Sequence, residues 1–263
     1  MNKSASLITC GLLVFLALHF VVGSRKEKDA KFKVRINENG TRFSEKVKIN
    51  EKENTVRFVV PKHNDFDRSE VLNEFNLNLT ITRLPDVGVC YIKPLDKSLP
   101  SPRKMKSDMK YVKRMRTQIS KPETVVTTSE WTPDKKLEPK QLHPTVVKFC
   151  AGLPVYRLKE ITKDNWEIEE NKKSDNDTTT RTKRRSYYDV CGNQQNRVLP
   201  CPDNTWRLIC YYANVGRSCV YWVKCRHPGY GYSTSVSVNS RCTFHHNRSS
   251  TRCCKFACPW WYG

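Results

Sequence analysis

Motifs that hold nucleotides or drive hydrolysis are missing from this 263-residue chain, which has no Gly-x-Ser-x-Gly, His-Glu-x-x-His, phosphate-loop or Gly-x-Gly-x-x-Gly pattern. Its six histidines have no nucleophile and carboxylate at recognisable spacing, so catalysis and a cofactor are not expected. Cys-x-x-Cys is absent as well. Zinc ligation by Cys242, His245, His246, Cys253, Cys254 and Cys258 is therefore the lesser alternative, and no metal site is expected. Apolar residues are scarce: mean hydropathy is −0.67 and 28% of residues are charged, so much of the chain should lie outside any packed core. There is no internal repeat and no low-complexity tract.

Only one long apolar run occurs, Leu7 to Val22. Lys3 precedes it and Val21-Val22-Gly23 follows with small residues, the layout of a signal peptide cut after Gly23 or Ser24. Its sixteen residues, interrupted by His19, are short for a membrane span of about 20. Arg25, Lys26, Lys28, Lys31, Lys33 and Arg35 place the positive charge after the run, the wrong side for an N-terminus left in the cytoplasm. A secretory, extracellular protein is expected, with a type II membrane protein as the alternative.

Cysteines are plentiful but unevenly placed. Nine of the twelve lie in the 78 residues after Arg181-Thr182-Lys183-Arg184-Arg185. A dense cysteine framework persists only in an oxidising compartment, and Arg181, Lys183, Arg184 and Arg185 form a multibasic run that lumenal processing proteases recognise. The run reads as a cleavage site, against the simpler reading of a solvated charge run. Residues 24–53 and 162–185 are polar and read as disordered linkers. Asn39, Asn78, Asn176 and Asn247 each begin a glycan acceptor pattern.

Between the linkers, Val56 to Val60, Phe75 to Thr82 and Val87 to Ile92 have strand character. Met105, Met109, Val112, Met115 and Ile119 then recur at helical spacing, behind Pro100 and Pro102 and ahead of Pro122. Thr124 to Thr128 and Thr145 to Cys150 return to strand character. The order strands, helix, strands predicts a small α+β domain over 54–161.

Asn73-Glu74-Phe75-Asn76, the Cys90-Tyr91-Ile92 strand, Leu95-Asp96, the Pro-rich approach to a helix, and Phe149-Cys150 followed by Val155-Tyr156-Arg157-Leu158 resemble the BRICHOS family. The resemblance implies a disulfide between Cys90 and Cys150, which are also the only cysteines between the apolar leader and the basic run. The family usually has Asp before the Phe of the strand preceding its first cysteine; this chain has Glu74, with Asp65 as a second acidic candidate under a shifted alignment. The resemblance further implies a proprotein in which the domain escorts a β-prone C-terminal segment through secretion. The face that would hold this client is expected to carry Phe75, Leu77, Leu79 and Ile81, unless these pack the domain's own core.

The expected client is the module over 186–263. Cys210 to Cys225 contains two aromatic, β-prone runs around Asn214-Val215-Gly216-Arg217, predicting a hairpin. Acidic gatekeepers are lacking there, so it is also the expected aggregation hazard. Cys191, Cys201, Cys210, Cys219, Cys225, Cys242, Cys253, Cys254 and Cys258 would form its disulfide framework, with Cys253 and Cys254 taking different partners. Nine is odd, so one thiol stays free, reaches back to the domain or bridges a homodimer. Nine basic residues against Asp189 and Asp203 suit anionic lipid or sulfated glycans rather than nucleic acid. The released part reads as a signalling or matrix module, its Cys-rich, Trp260-Trp261 ending being similar to those of chondromodulin and tenomodulin. A membrane-active antimicrobial peptide is one alternative, and an uncleaved chaperone-like chain is another.

Overall fold

Alternating apolar and polar residues build one large sheet in this chain. The computed structural model describes residues 29–114, 124–161, 190–191, 207–226 and 242–257. The elements are β1 (Ala30–Glu38), β2 (Thr41–Asn50), β3 (Thr55–Val60), β4 (Ser69–Glu74), β5 (Leu79–Leu84), β6 (Val89–Pro94), α1 (Pro102–Arg114), β7 (Thr124–Leu137), α2 (Pro144–Cys150), β8 (Val155–Glu160), β9 (Arg207–Cys225) and β10 (Cys242–Ala257). The ten strands lie in the order β1-β2-β3-β4-β5-β6-β8-β7-β10-β9. β1 to β6 form an antiparallel meander, while β6 with β8 and β7 with β10 are parallel pairs.

The fold is mostly β, with two α-helices among the described residues, so the α+β expectation holds only loosely. The sheet curls until β9 and β10 lie against β1 to β4. Its inner face carries Val47, Ile49, Val56, Phe58 and Val71, which pack with Met105 and Met109 of α1 and with Val220, Trp222 and Val223 of β9. Burying side chains of this size contributes roughly 1.5–3 kcal/mol each. On the outer face α2 covers Leu72, Ile81, Ile92 and Val155, and the Cys90–Cys150 disulfide (S–S 2.01 Å) ties it to β6.

Four expectations need correction. Residues 24–53 are not simply a linker, because β1 and β2 occupy most of them. Asn39 (φ 49°) and Gly40 (φ 84°) supply the left-handed backbone of a tight hairpin turn, and Val47 and Ile49 enter the core. The run 75–82 is not one strand: Asn78 (φ 53°) helps turn the chain between β4 and β5. Thr145 to Cys150 is helical despite its β-branched residues, because Pro144 opens the helix, His143 Nδ1 accepts from the Thr145 N–H at 3.3 Å and Ala151 caps it in a left-handed conformation. Finally, Asn214 to Arg217 does not reverse the chain. β9 continues through it opposite β10, with register shifts near Ser250 and Arg252. The C-terminal part is thus continuous with the sheet of the preceding domain and does not stand apart from it.

Candidate functional site

An edge strand presents one row of N–H and C=O groups that no neighbouring strand satisfies. β9 is such an edge in the strand order, and its partner β10 occupies only one side. Residues at alternate positions direct their backbone groups to the same side, and here the free side runs through residues 217, 221 and 225. Side chains and one loop of the preceding domain meet this row. The Arg217 N–H donates to Asp67 Oδ2 at 2.9 Å, and its carbonyl accepts from the Asp67 N–H at 3.0 Å. The Tyr221 N–H donates to Glu45 Oε2 at 3.0 Å, and the Cys225 carbonyl accepts from Lys104 Nζ at 2.6 Å. Beside the register shift, the Val215 carbonyl accepts from the Tyr91 hydroxyl at 2.7 Å.

β10 is held by strand addition. Its residues Phe244 to Thr251 pair in parallel with Thr124 to Trp131 of β7. Gly216 lies close against the domain: a Cβ there would lie 2.3 Å from Leu84 Cδ1, and its φ of 140° disfavours any other residue.

Charges close the rim. Glu38 at the end of β1 receives Arg248 Nη2 at 2.8 Å and lies 3.4 Å from His63 Nε2 and 3.6 Å from His246 Nδ1. Burial works to raise the Glu38 pKa, but His246, Asn64 and Arg248 outweigh it and hold the carboxyl low. His246 is 3% exposed and stacks on Tyr221 at 4.0 Å; burial pushes its pKa down to about 4. Glu45 is fully buried, and desolvation lifts its pKa well above the usual carboxylate value against the Tyr221 N–H. Between the inner face and the hairpin is a cavity of about 550 Å³, lined in part by Thr80, Thr82, Lys93, Trp131, Ser218 and Arg248. Lys93 Nζ sits 4.4 Å from the centre of the Trp131 ring and 3.3 Å from Ser249 Oγ, and burial lowers its pKa to about 8.

The domain that cradles the hairpin matches a known family over residues 65–157. The chain carries a BRICHOS domain. Searches of curated proteins and of solved structures find no significant match. β1 to β3 precede the matched segment, yet β1 supplies Glu38 and β2 supplies Phe43 and Glu45 to the hairpin's berth.

The four residues expected to form the client face do not share one face. Phe75 and Leu77 fall in the β4–β5 turn, where Phe75 packs against the inner cluster that includes Val220, Trp222 and Val223 of β9, and Ile81 is fully buried beneath α2 on the outer face. Leu79 shares the strand side of Ile81. The hairpin instead faces Thr80 and Thr82, because one residue along a strand exchanges the two faces. Glu74 is buried at the end of β4, where its Oε1 accepts from the Asn76 N–H at 3.2 Å. Asp65 is exposed, 3.7 Å from Arg217 Nη1.

Cysteines at 191 and 253, 210 and 254, and 225 and 242 form disulfides, so the vicinal pair has two different partners. Cys219 is the free cysteine among the described residues, buried with its Sγ 3.6 Å from His63 Nε2. Burial pushes its thiol pKa up. Cys242, Cys253 and Cys254 are consumed in disulfides, and no metal-holding group occurs among the described residues. Asn39 and Asn78 lie at exposed turns, whereas Asn247 lies within β10 and donates to Asp96 Oδ2 at 3.0 Å. The signal run, Asn176, Cys201, Cys258, Arg181, Lys183, Arg184 and Arg185 lie outside the described residues. Among those described, no helix is long and apolar enough to cross a membrane.

Glu38, Glu45, Asp67 and Tyr91 were not singled out in the sequence as site residues. Glu45 carried a faint signal, an acid at an inward position between Phe43 and Val47 of an alternating run.

Proposed function

We propose that the BRICHOS domain, together with β1 to β3, is an intramolecular chaperone for the β9–β10 hairpin in a secreted proprotein. The observation that carries this reading is the capped free edge of β9, where Glu45, Asp67, Tyr91 and Lys104 take backbone groups that another β-strand would otherwise claim. BRICHOS domains act as chaperone-like parts of proproteins, which agrees with such an escort. Cleavage after Arg185 would then free a cationic, cysteine-rich product that acts outside the cell as a signalling or matrix module. No enzymatic step is required of either part.

Disulfide connectivity is compatible with release. Among the described residues, one bridge lies within 90–150 and three lie within 191–254, and none joins the two sets. Among the described residues, a cut between them leaves only non-covalent contacts. The parallel β7–β10 pairing over eight residues favours a second reading, in which the two parts work together without separating.

Intact mass of the protein in the medium of expressing cells separates these readings, with an Arg184→Ala, Arg185→Ala variant beside the parent. A fragment beginning at Ser186 in the parent alone supports the proprotein. Full-length chain from both removes cleavage from the account. Loss of soluble protein on Asp67→Ala with Tyr91→Phe supports the escort role, and unchanged yield without aggregation counts against it.

A further inference from the structure

A sheet face left uncovered by a helix usually carries mixed polar residues, but the outer face of β1 and β2 carries cations almost alone. Lys31, Lys33, Arg35, Arg42, Lys46 and Lys48 are all exposed there. Register makes the crowding worse, since Lys31 lies directly opposite Lys48 and Lys33 directly opposite Lys46. Like charges in opposed positions destabilise a strand pair. Asp29 bridges Lys48 at 2.7 Å, whereas Lys31, Lys33, Arg35, Arg42 and Lys46 have no acidic partner among the described residues. Toward the meander's centre, Glu70 is engaged by Arg57 and Arg83, and Arg57 lies 5.3 Å from the ring centre of Phe149 in the last turn of α2. The patch thus runs from α2 to the free edge of β1. A shallow depression beside the turn is lined by Arg35, Ile36, Asn37, Arg42, Phe43 and Ser44.

We infer that this face is a binding surface for a linear sulfated polysaccharide. Alternate residues on a strand repeat every 6.5–7 Å or so and neighbouring strands lie about 4.8 Å apart, so the cations form a fixed lattice. A chain bearing regularly spaced sulfates can cross that lattice and relieve the repulsion between opposed lysines. The face offers no other partner its usual anchors. Its exposed outward positions 31, 33, 35, 37, 42, 46 and 48 hold no aliphatic or aromatic residue to enter a membrane, stack on a base or seat in a protein pocket. The hairpin lies on the opposite face, so the glycan and the β9–β10 segment do not compete for space. This surface is distinct from the cationic C-terminal part.

The test uses the purified full chain and immobilised heparin as probe. Lys31→Gln, Lys33→Gln, Lys46→Gln and Lys48→Gln together should weaken binding near physiological salt by about tenfold or more and flatten its salt dependence. These exposed changes remove the repulsion between opposed lysines at the cost of the part-exposed Asp29–Lys48 ion pair, so thermal stability should change little. Removing equal charge from α1 by Arg103→Gln, Lys110→Gln, Lys113→Gln and Arg114→Gln should cost less than about threefold, and arginine at the four β1–β2 positions should retain binding. Equal losses from the two glutamine sets would overturn the inference, leaving only the attraction of a chain with net charge +21 for any polyanion. So would tighter binding to phosphatidylserine vesicles or duplex DNA than to heparin, lost with the same four lysines.

Discussion

Glu45 and His246 lie on opposite sides of the joint between the N-terminal hairpin and the C-terminal one, and burial disfavours the charged form of each. Their pH effects have opposite signs. An imidazole whose pKa is depressed to about 4 stabilises the fold fully above its unfolded value of about 6.5, and the contribution is lost as pH falls toward 4. A carboxyl raised above 4.5 contributes most below that value, and its contribution is lost as pH rises. Thermal melts from pH 4 to 7 should therefore show a weaker acid-side decline in His246→Gln than in the parent; identical slopes would remove His246 from the pH response. Glu45→Gln keeps an acceptor for the Tyr221 N–H and removes the buried acid, so it should stabilise the chain at pH 7 by about 1 kcal/mol or more. Gly216→Ala should do the reverse, costing about 1–3 kcal/mol through its clash with Leu84 and its strained backbone. Urea unfolding of the three variants beside the parent gives all these differences.

At the scale of elements, β9 shows why its burial is more than packing. Its side chains Val220, Trp222 and Val223 join the inner core, and its backbone edge is occupied by the domain. Tyr91→Phe leaves the Val215 carbonyl without that donor and Asp67→Ala removes the acceptor of the Arg217 N–H while keeping the backbone N–H of residue 67 on the Arg217 carbonyl; each should cost about 1–2 kcal/mol. The double variant should bind an amyloid-reporting dye at temperatures where the parent stays clear, and a dye-negative double variant would show that the capped edge is not what prevents association. Much of this architecture was legible locally. α1 followed from methionines at helical spacing, and β3 and β6 from apolar runs bounded by turn residues. β1 and β2 were legible too, in the alternation Phe32, Val34, Ile36 and the Asn39-Gly40 turn, but high charge hid them. α2 was not: Thr-Val-Val-Lys-Phe-Cys favours strand intrinsically, and a proline start, a histidine cap and a bridge to β6 overrule it.

For the whole molecule, the important property is that two covalent frameworks share one sheet with no disulfide between them among the described residues. The Cys90–Cys150 bridge serves the domain and the other three serve the C-terminal part. Limited proteolysis after Arg185 should give two fragments that remain together in native buffer and separate in denaturant without reductant. Fragments that part only on reduction would mean a bridge crosses the cut. The buried position of Cys219 also bears on assembly. A thiol 2% exposed beside His63 is poorly placed to join two chains, so an alkylating reagent should label it only after denaturation.

The sequence by itself determined what depends on neighbours along the chain: the apolar leader, the basic run, the cysteine asymmetry, the methionine-faced helix and the BRICHOS resemblance over Asn54 to Ile161. Only the tertiary structure decided which face of β5 meets the hairpin, that β9 passes straight through Asn214 to Arg217, and that the acids of β1 and β2 reach the far end of the chain. Strand partners in this sheet are separated by more than a hundred residues where β7 meets β10. Periodicity records which positions along a strand share a side. Which side turns inward depends on what the sheet closes around, and that is settled by contacts no local window contains.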